Sequence, residues 1–177
     1  MTDNRTRLLA LLLAIAAAAM LRLVPHPPNF TPIGAMALFS GAYLGRRWLA
    51  FAAPLGALLI SDLVLGFYPG VGFVYAATAL AVVVGWVVAA RRTPLAVGGA
   101  ALASSVLFFI ITNIGMWLFS GFYPLTADGL AACFVAAIPF FQNSLAGDLV
   151  FSAILFGGWA LAERLLPVLR ESHTQPA

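Results

Sequence analysis

Apolar runs of about 20 residues follow one another from Leu8 to Leu166 with only short polar breaks. About 20 residues is the length an α-helix needs to cross the hydrocarbon core of a bilayer. In lipid every backbone N–H and C=O must find its partner within the protein, which leaves helices or closed barrels. A barrel needs strands of ~10 residues that alternate apolar and polar positions, and these runs do not alternate. The chain therefore reads as an all-α membrane protein. Its mean hydropathy of +1.02 and its 8% of charged residues exclude a soluble core.

Six membrane segments fit one bundle: Leu8 to Val24, Thr31 to Gly45, Trp48 to Phe67, Val71 to Ala90, Leu95 to Ser120 and Asn143 to Leu166. Together they form a single domain over residues 1–169, with 170–177 left as a polar, disordered tail. The second segment is short, since ~15 residues rise only ~22 Å against a core of ~30 Å. It reads as a half-helix completed by the irregular loop before it. The stretch Gly129 to Phe141 is also short, and is expected to be re-entrant or to lie over the bundle's outer face.

All nine basic residues are arginine. With the N-terminus inside, Arg5, Arg7, Arg46, Arg47, Arg91, Arg92, Arg164 and Arg170 fall on the cytoplasmic side, and Arg22 falls outside. That bias places both termini in the cytoplasm of a bacterial inner membrane. It also gives the positive charge a topological role, with no need for nucleic acid. The N-terminal run is read as a retained helix. Cleavage within Ala16 to Ala19 is the alternative, but Met20-Leu21-Arg22 follows instead of a polar mature region.

Charge and amide groups inside such a chain are the candidate site. An ionised carboxylate in hydrocarbon costs several kcal/mol unless it faces a polar cavity or a partner. Asp62 in ISDLVLGFYP and Asp148 in FFQNSLAGDLVF are two such groups. Asp62 sits in the outer half, where Arg22 is a plausible ion-pair partner; a structural pair and ligand contact are both open and can coexist. Asp148 lies about 7 Å below Asn143 at ~1.5 Å per residue. It either lines a pocket or bonds a neighbouring helix. Asn143 pairs with Gly147 at i,i+4 and Ser144 with Asp148, so these pairs occupy neighbouring faces. Thr112, Asn113 and Trp117 lie at the same outer depth, as ligand contacts or as interhelical glue.

The loop His26-Pro27-Pro28-Asn29-Phe30-Thr31-Pro32 is stiffened by three prolines. Asn29 and Phe30 make it a candidate gate, and a rigid connector is the other reading. Gly66-Phe67-Tyr68-Pro69 recurs as Gly121-Phe122-Tyr123-Pro124, through duplication or convergent helix-stop chemistry. Ala10, Ala14 and Ala18 form a small-residue stripe that packs within the bundle or docks a partner. The lone Cys133 excludes an intrachain disulfide and reads as a buried structural residue. No metal-ligand spacing, phosphate loop, haem or flavin signature is present, so no cofactor, metal or enzymatic activity is expected.

Six helices, cytoplasmic ends, the alanine stripe and the structured outer loop resemble a substrate-binding S component of an energy-coupling-factor vitamin transporter. The segments NFTPIGAMALFSGAYLG, ISDLVLGFYP and FFQNSLAGDLVFSAILFG also resemble a family of small bacterial membrane proteins with no assigned function. The S-component resemblance implies capture of a vitamin or related micronutrient from the outer side. It further implies docking through Ala10, Ala14 and Ala18 on a transmembrane coupling protein driven by separate ATPases. By it the Asn29 loop would gate a pocket lined by Asn113, Trp117, Asn143 and Asp148. The alternative is a non-transporting membrane scaffold or assembly subunit of a larger complex.

Overall fold

The computed structural model describes residues 3–45 and 48–170. The Arg46-Arg47 pair and the tail beyond Arg170 lie outside the described residues. The chain is helical throughout: α1 (Asp3–Met20), α2 (Ile33–Leu44), α3 (Trp48–Leu65), α4 (Val71–Val88), α5 (Pro94–Phe119) and α6 (Ala127–Leu165), with short 3-10 turns at Leu21–Leu23 and Pro167–Leu169. No strand occurs among the described residues. Four helices, α3 to α6, are long and apolar enough to cross a membrane. Of the other two, α1 carries Asp3, Arg5 and Arg7, and α2 has 12 residues.

Helix α2 is the axis of the molecule. Eleven of its 12 residues are buried, and it packs against each of the other five helices. Its sequence, IGAMALFSGAYL, is apolar all round, as a helix enclosed on every side must be. Gly41 and Gly85 let α2 and α4 approach closely. A Cβ on Gly41 would overlap the carbonyl oxygen of Val82, and one on Gly85 that of Leu38. Around Phe39 and Tyr43 of α2, Phe156 and Trp159 of α6 complete an aromatic cluster with centroids 4.6–6.0 Å apart.

Consecutive helices run in alternate directions. Arg7 near the start of α1 meets Glu163 near the end of α6 at 3.3 Å. At the opposite end of the bundle, Arg22 follows α1 and meets Asp62 near the end of α3. Thr93 and Thr126 accept from the N–H groups of Ala96 and Gly129, so their side chains cap α5 and α6. After α3 and α5, Gly66 and Gly121 take φ values of 94° and 72°. That region is open to glycine, and both copies of Gly-Phe-Tyr-Pro end their helix in this way.

One expectation is corrected. Residues 129–141 are neither re-entrant nor separate; they form the first part of α6, a single 39-residue helix with Pro139 inside it. At ~1.5 Å per residue α6 is about 58 Å long, nearly twice the hydrocarbon thickness. Its first part stays helical because it packs on α5: Phe109 meets Phe134 and Phe141 at 5.4 and 4.8 Å. A second contact comes from the Trp117 indole, which donates to the carbonyl of Pro124 at 2.9 Å, just before α6 begins.

Candidate functional site

A cavity of about 510 Å³ opens at the end of the bundle that carries the proline-rich loop. Its floor is the start of α2, at Ile33 and Gly34, with Asp148 beside it. Phe108, Phe109, Thr112, Asn113 and Met116 of α5 form one wall, and Ala137, Phe140, Phe141 and Ser144 of α6 adjoin it. Arg22, with Leu65, Tyr68, Pro69 and Gly70 from the end of α3 and the link to α4, also lines it, and His26, Asn29 and Thr31 come from the loop.

The loop owes its shape to its sequence. Phe30 N–H donates to the carbonyl of Pro27 at 3.0 Å, and Asn29 has φ 62°. Proline at the second position and asparagine at positive φ in the third is the pattern of a type II turn. One face of α6 then holds this turn down. Asn143 Nδ2 donates to the Pro28 carbonyl at 2.9 Å. Gly147 leaves room for the backbone of Phe30 and Thr31, and the Phe151 ring lies 5.4 Å from that of Phe30. These three positions are spaced i,i+4,i+8 and share one stripe.

The neighbouring stripe carries Ser144, Asp148 and Ser152. Asp148 Oδ2 accepts from Ser105 Oγ at 2.6 Å, and the Ala35 N–H also donates to the carboxylate. Pro32, at the start of α2, gives no side-chain cap. Asp148 therefore satisfies an otherwise orphaned N–H of a buried helix and lies at its positive end. Gly34 is needed beside it, since a Cβ there would overlap the carboxylate.

Asp62 is 1% exposed and sits behind the cavity wall. Its Oδ1 lies 2.7 Å from Arg22 Nη1, and its Oδ2 accepts from the Tyr75 hydroxyl at 3.0 Å. Arg22 also donates to Ser61 Oγ. Tyr68, in the link between α3 and α4, has its phenol pushed above the usual tyrosine range. Burial is the main cause, the Asp62 charge adds to it, and Arg22 opposes it.

The structure thus brings Asn29, Asn113 and Asp148 to one cavity and leaves Phe30, Asp62, Trp117 and Asn143 out of its lining. Phe30 and Asn143 fix the loop, Asp62 holds Arg22, and Trp117 ties α5 to the turn before α6. In the alanine stripe, Ala18 is buried in the core, and Ala10 and Ala14 pack against it. The outward face of α1 carries Leu9, Leu13, Ala16 and Ala17 instead. Among the described residues no three His, Cys, Asp or Glu side chains come together as a metal site.

Residues 2–169 match the family of unknown function DUF6580. The chain belongs to that family. No curated protein and no solved structure matches it. In this DUF6580 chain the sequence reading passed over Gly34, Tyr68, Phe108, Phe109 and Met116, all of which line the cavity. Phe108, Phe109 and Met116 carried a usable signal: they lie three or four positions from Thr112 or Asn113 and so share their faces. Gly34 carried none, because its neighbour Asp148 is remote in sequence.

Proposed function

We propose that this protein is a six-span subunit of the bacterial cytoplasmic membrane that captures a vitamin or related micronutrient from the extracytoplasmic side. In this reading both termini are cytoplasmic, and α2 crosses with the help of the loop before it. Irregular backbone at membrane depth is tolerated where protein buries it or where it lines a cavity. The first part of α6 projects outward beyond the hydrocarbon. A transmembrane coupling protein with separate ATPases would supply the energy, and the outward face of α1 is the surface left for docking.

The observation that carries the reading is the cavity itself. Its volume of about 510 Å³ falls within the ~300–1,000 Å³ of small-molecule sites. It also has their make-up: aromatic walls, with a few polar groups converging from the loop, α5 and α6. A second reading, a non-transporting scaffold subunit, draws on the internal partners of both aspartates, Arg22 for Asp62 and Ser105 for Asp148.

Mass spectrometry of small molecules released from protein purified in mild detergent separates the two. A stoichiometric micronutrient in the wild type, lost in a folded Ala137→Trp variant that fills the cavity, is the expected result. An empty wild-type protein that co-purifies with a stable complex would favour the scaffold.

A further inference from the structure

Resting on the reading of the cavity as a small-molecule site, we propose that its ligand is an organic cation. Its flat apolar body lies among the phenylalanines, and its N–H donors point at the α5–α6 wall. The argument is a count of protons. Thr112 Oγ1 donates to the Phe108 carbonyl at 2.8 Å, and Ser144 Oγ to the Phe140 carbonyl at 3.1 Å. Each hydroxyl has one proton, so both present only lone pairs to a ligand. Asn113 is different: its Nδ2 donates one N–H to the Phe109 carbonyl at 2.7 Å and its Oδ1 faces the Cys133 thiol at 3.9 Å, so it adds no free acceptor. Asp148 adds a carboxyl group whose Oδ2 accepts from the Ser105 hydroxyl at 2.6 Å. All three back-bonded side chains donate four residues back along their own helix. The acceptors left toward the cavity are the lone pairs of Thr112 and Ser144, joined by the Asp148 carboxyl group.

Charge points the same way. Arg22 is the lining residue that would attract an anion, but Asp62 lies 2.7 Å away and neutralises it. The start of α2 contributes roughly +0.5 charge at the floor, and the Asp148 carboxyl group lies directly against it beside Gly34. Phe108, Phe109, Phe140 and Phe141 line the cavity, and an aromatic lining suits a cation better than a carboxylate. Donors come from elsewhere in the lining, from Tyr68 and from His26 and Asn29 of the loop. A bound molecule would accordingly turn its donors inward and its acceptors toward Tyr68.

Three probes of one shape test this: 4-fluorobenzamidine (cationic), 4-fluorobenzoate (anionic) and 4-fluorobenzamide (neutral). Each is titrated by ¹⁹F NMR against protein in lipid nanodiscs. The expected result is at least tenfold tighter binding of the amidine than of the benzoate, abolished by Ala137→Trp. Thr112→Val, which keeps the shape and removes an acceptor, should weaken the amidine several-fold and leave the benzoate, which has no N–H to donate, no weaker than before. Benzoate binding as tight as the amidine in the wild type, lost in Ala137→Trp, would overturn the cation assignment and leave the binding site standing. If no probe responds to Ala137→Trp, the cation assignment and the small-molecule reading fall together.

Discussion

Asp148 and Arg92 cap opposite ends of the same buried helix. Asp148, from α6, accepts from the Ala35 N–H in the first turn of α2. Arg92, from the link before α5, donates from Nη2 to the Ala42 carbonyl at 3.0 Å and lies 4.2 Å from the Tyr43 ring centroid. The Trp86 indole adds a bond to the Gly45 carbonyl at 3.0 Å. A helix enclosed by protein has no water for its terminal groups, so side chains of the right sign must serve them. Asp148→Ala and Arg92→Leu should each destabilise the fold by about 2 kcal/mol, read from denaturant unfolding in detergent. Wild-type stability in both variants would remove the capping role.

The contact between α2 and α4 gives a sharper steric test. Gly41→Ala and Gly85→Ala both place a methyl group against backbone oxygen, which cannot rotate aside. Gly56→Ala and Gly98→Ala meet open space. The first pair should cost upward of about 2 kcal/mol each and reduce the yield of monodisperse protein. The second pair should be neutral or slightly stabilising, since alanine favours helix over glycine. Size-exclusion profiles of the four variants decide the matter, and equal profiles would contradict the close approach.

Asp62 and Arg22 should behave as a structural pair. Removing one partner strands a buried charge, at a cost of about 3–5 kcal/mol. Asp62→Ala alone should therefore be far more harmful than Asp62→Leu combined with Arg22→Met. Recovery of folded protein in the double variant, measured by thermal unfolding, is the expected outcome. No recovery would mean that the bond from the Tyr75 hydroxyl, which the double variant also removes, outweighs the ion pair.

Tyr68 supplies a pH test with a defined sign. Its folded-state pKa lies above the ordinary value of 10.0, so the folded protein prefers the protonated phenol. The associated stability is complete below pH ~10 and is lost as pH rises through the folded value. Absorbance titration near 295 nm should show a late-ionising component that falls by one tyrosine in Tyr68→Phe. A wild-type titration with every tyrosine ionising at the ordinary value would contradict the buried setting.

The sequence made some of this legible and hid the rest for physical reasons. Helix positions follow from apolar length, so five observed helices start within five residues of expectation. The sixth starts well before the expected Asn143, because 129–141, too short to span by itself, runs on into the same helix. Asn143 and Ser144 interrupt the apolar run without interrupting the helix, since one bonds the Pro28 carbonyl and the other its own helix. The two faces of α6 were readable from the i,i+4 spacing. Which face meets the loop and which meets the cavity was not, because that depends on where α2 begins. The ion pair of Arg22 with Asp62 was readable, since each was a charge at the same depth with few alternatives.

The loop clamp offers the last prediction. Asn143 reaches the proline-rich turn through one hydrogen bond, and Phe30 adds a ring contact with Phe151. The turn itself is set by Pro28 and by Asn29 at φ 62°, so it keeps its shape without the clamp. Asn143→Ala should therefore cost only about 1 kcal/mol of global stability while loosening the turn's hold on α6. Hydrogen exchange should rise at the amides of Phe30 and Thr31 and stay unchanged in α2 and α5. Asn29→Ala acts differently, because alanine at positive φ strains the turn itself. It should disturb the backbone even with Asn143 intact. Joined to a ligand assay, the pair separates a gate from a connector. If the loop gates the cavity, Asn143→Ala speeds both association and release with little change at equilibrium. If it only connects, neither rate moves.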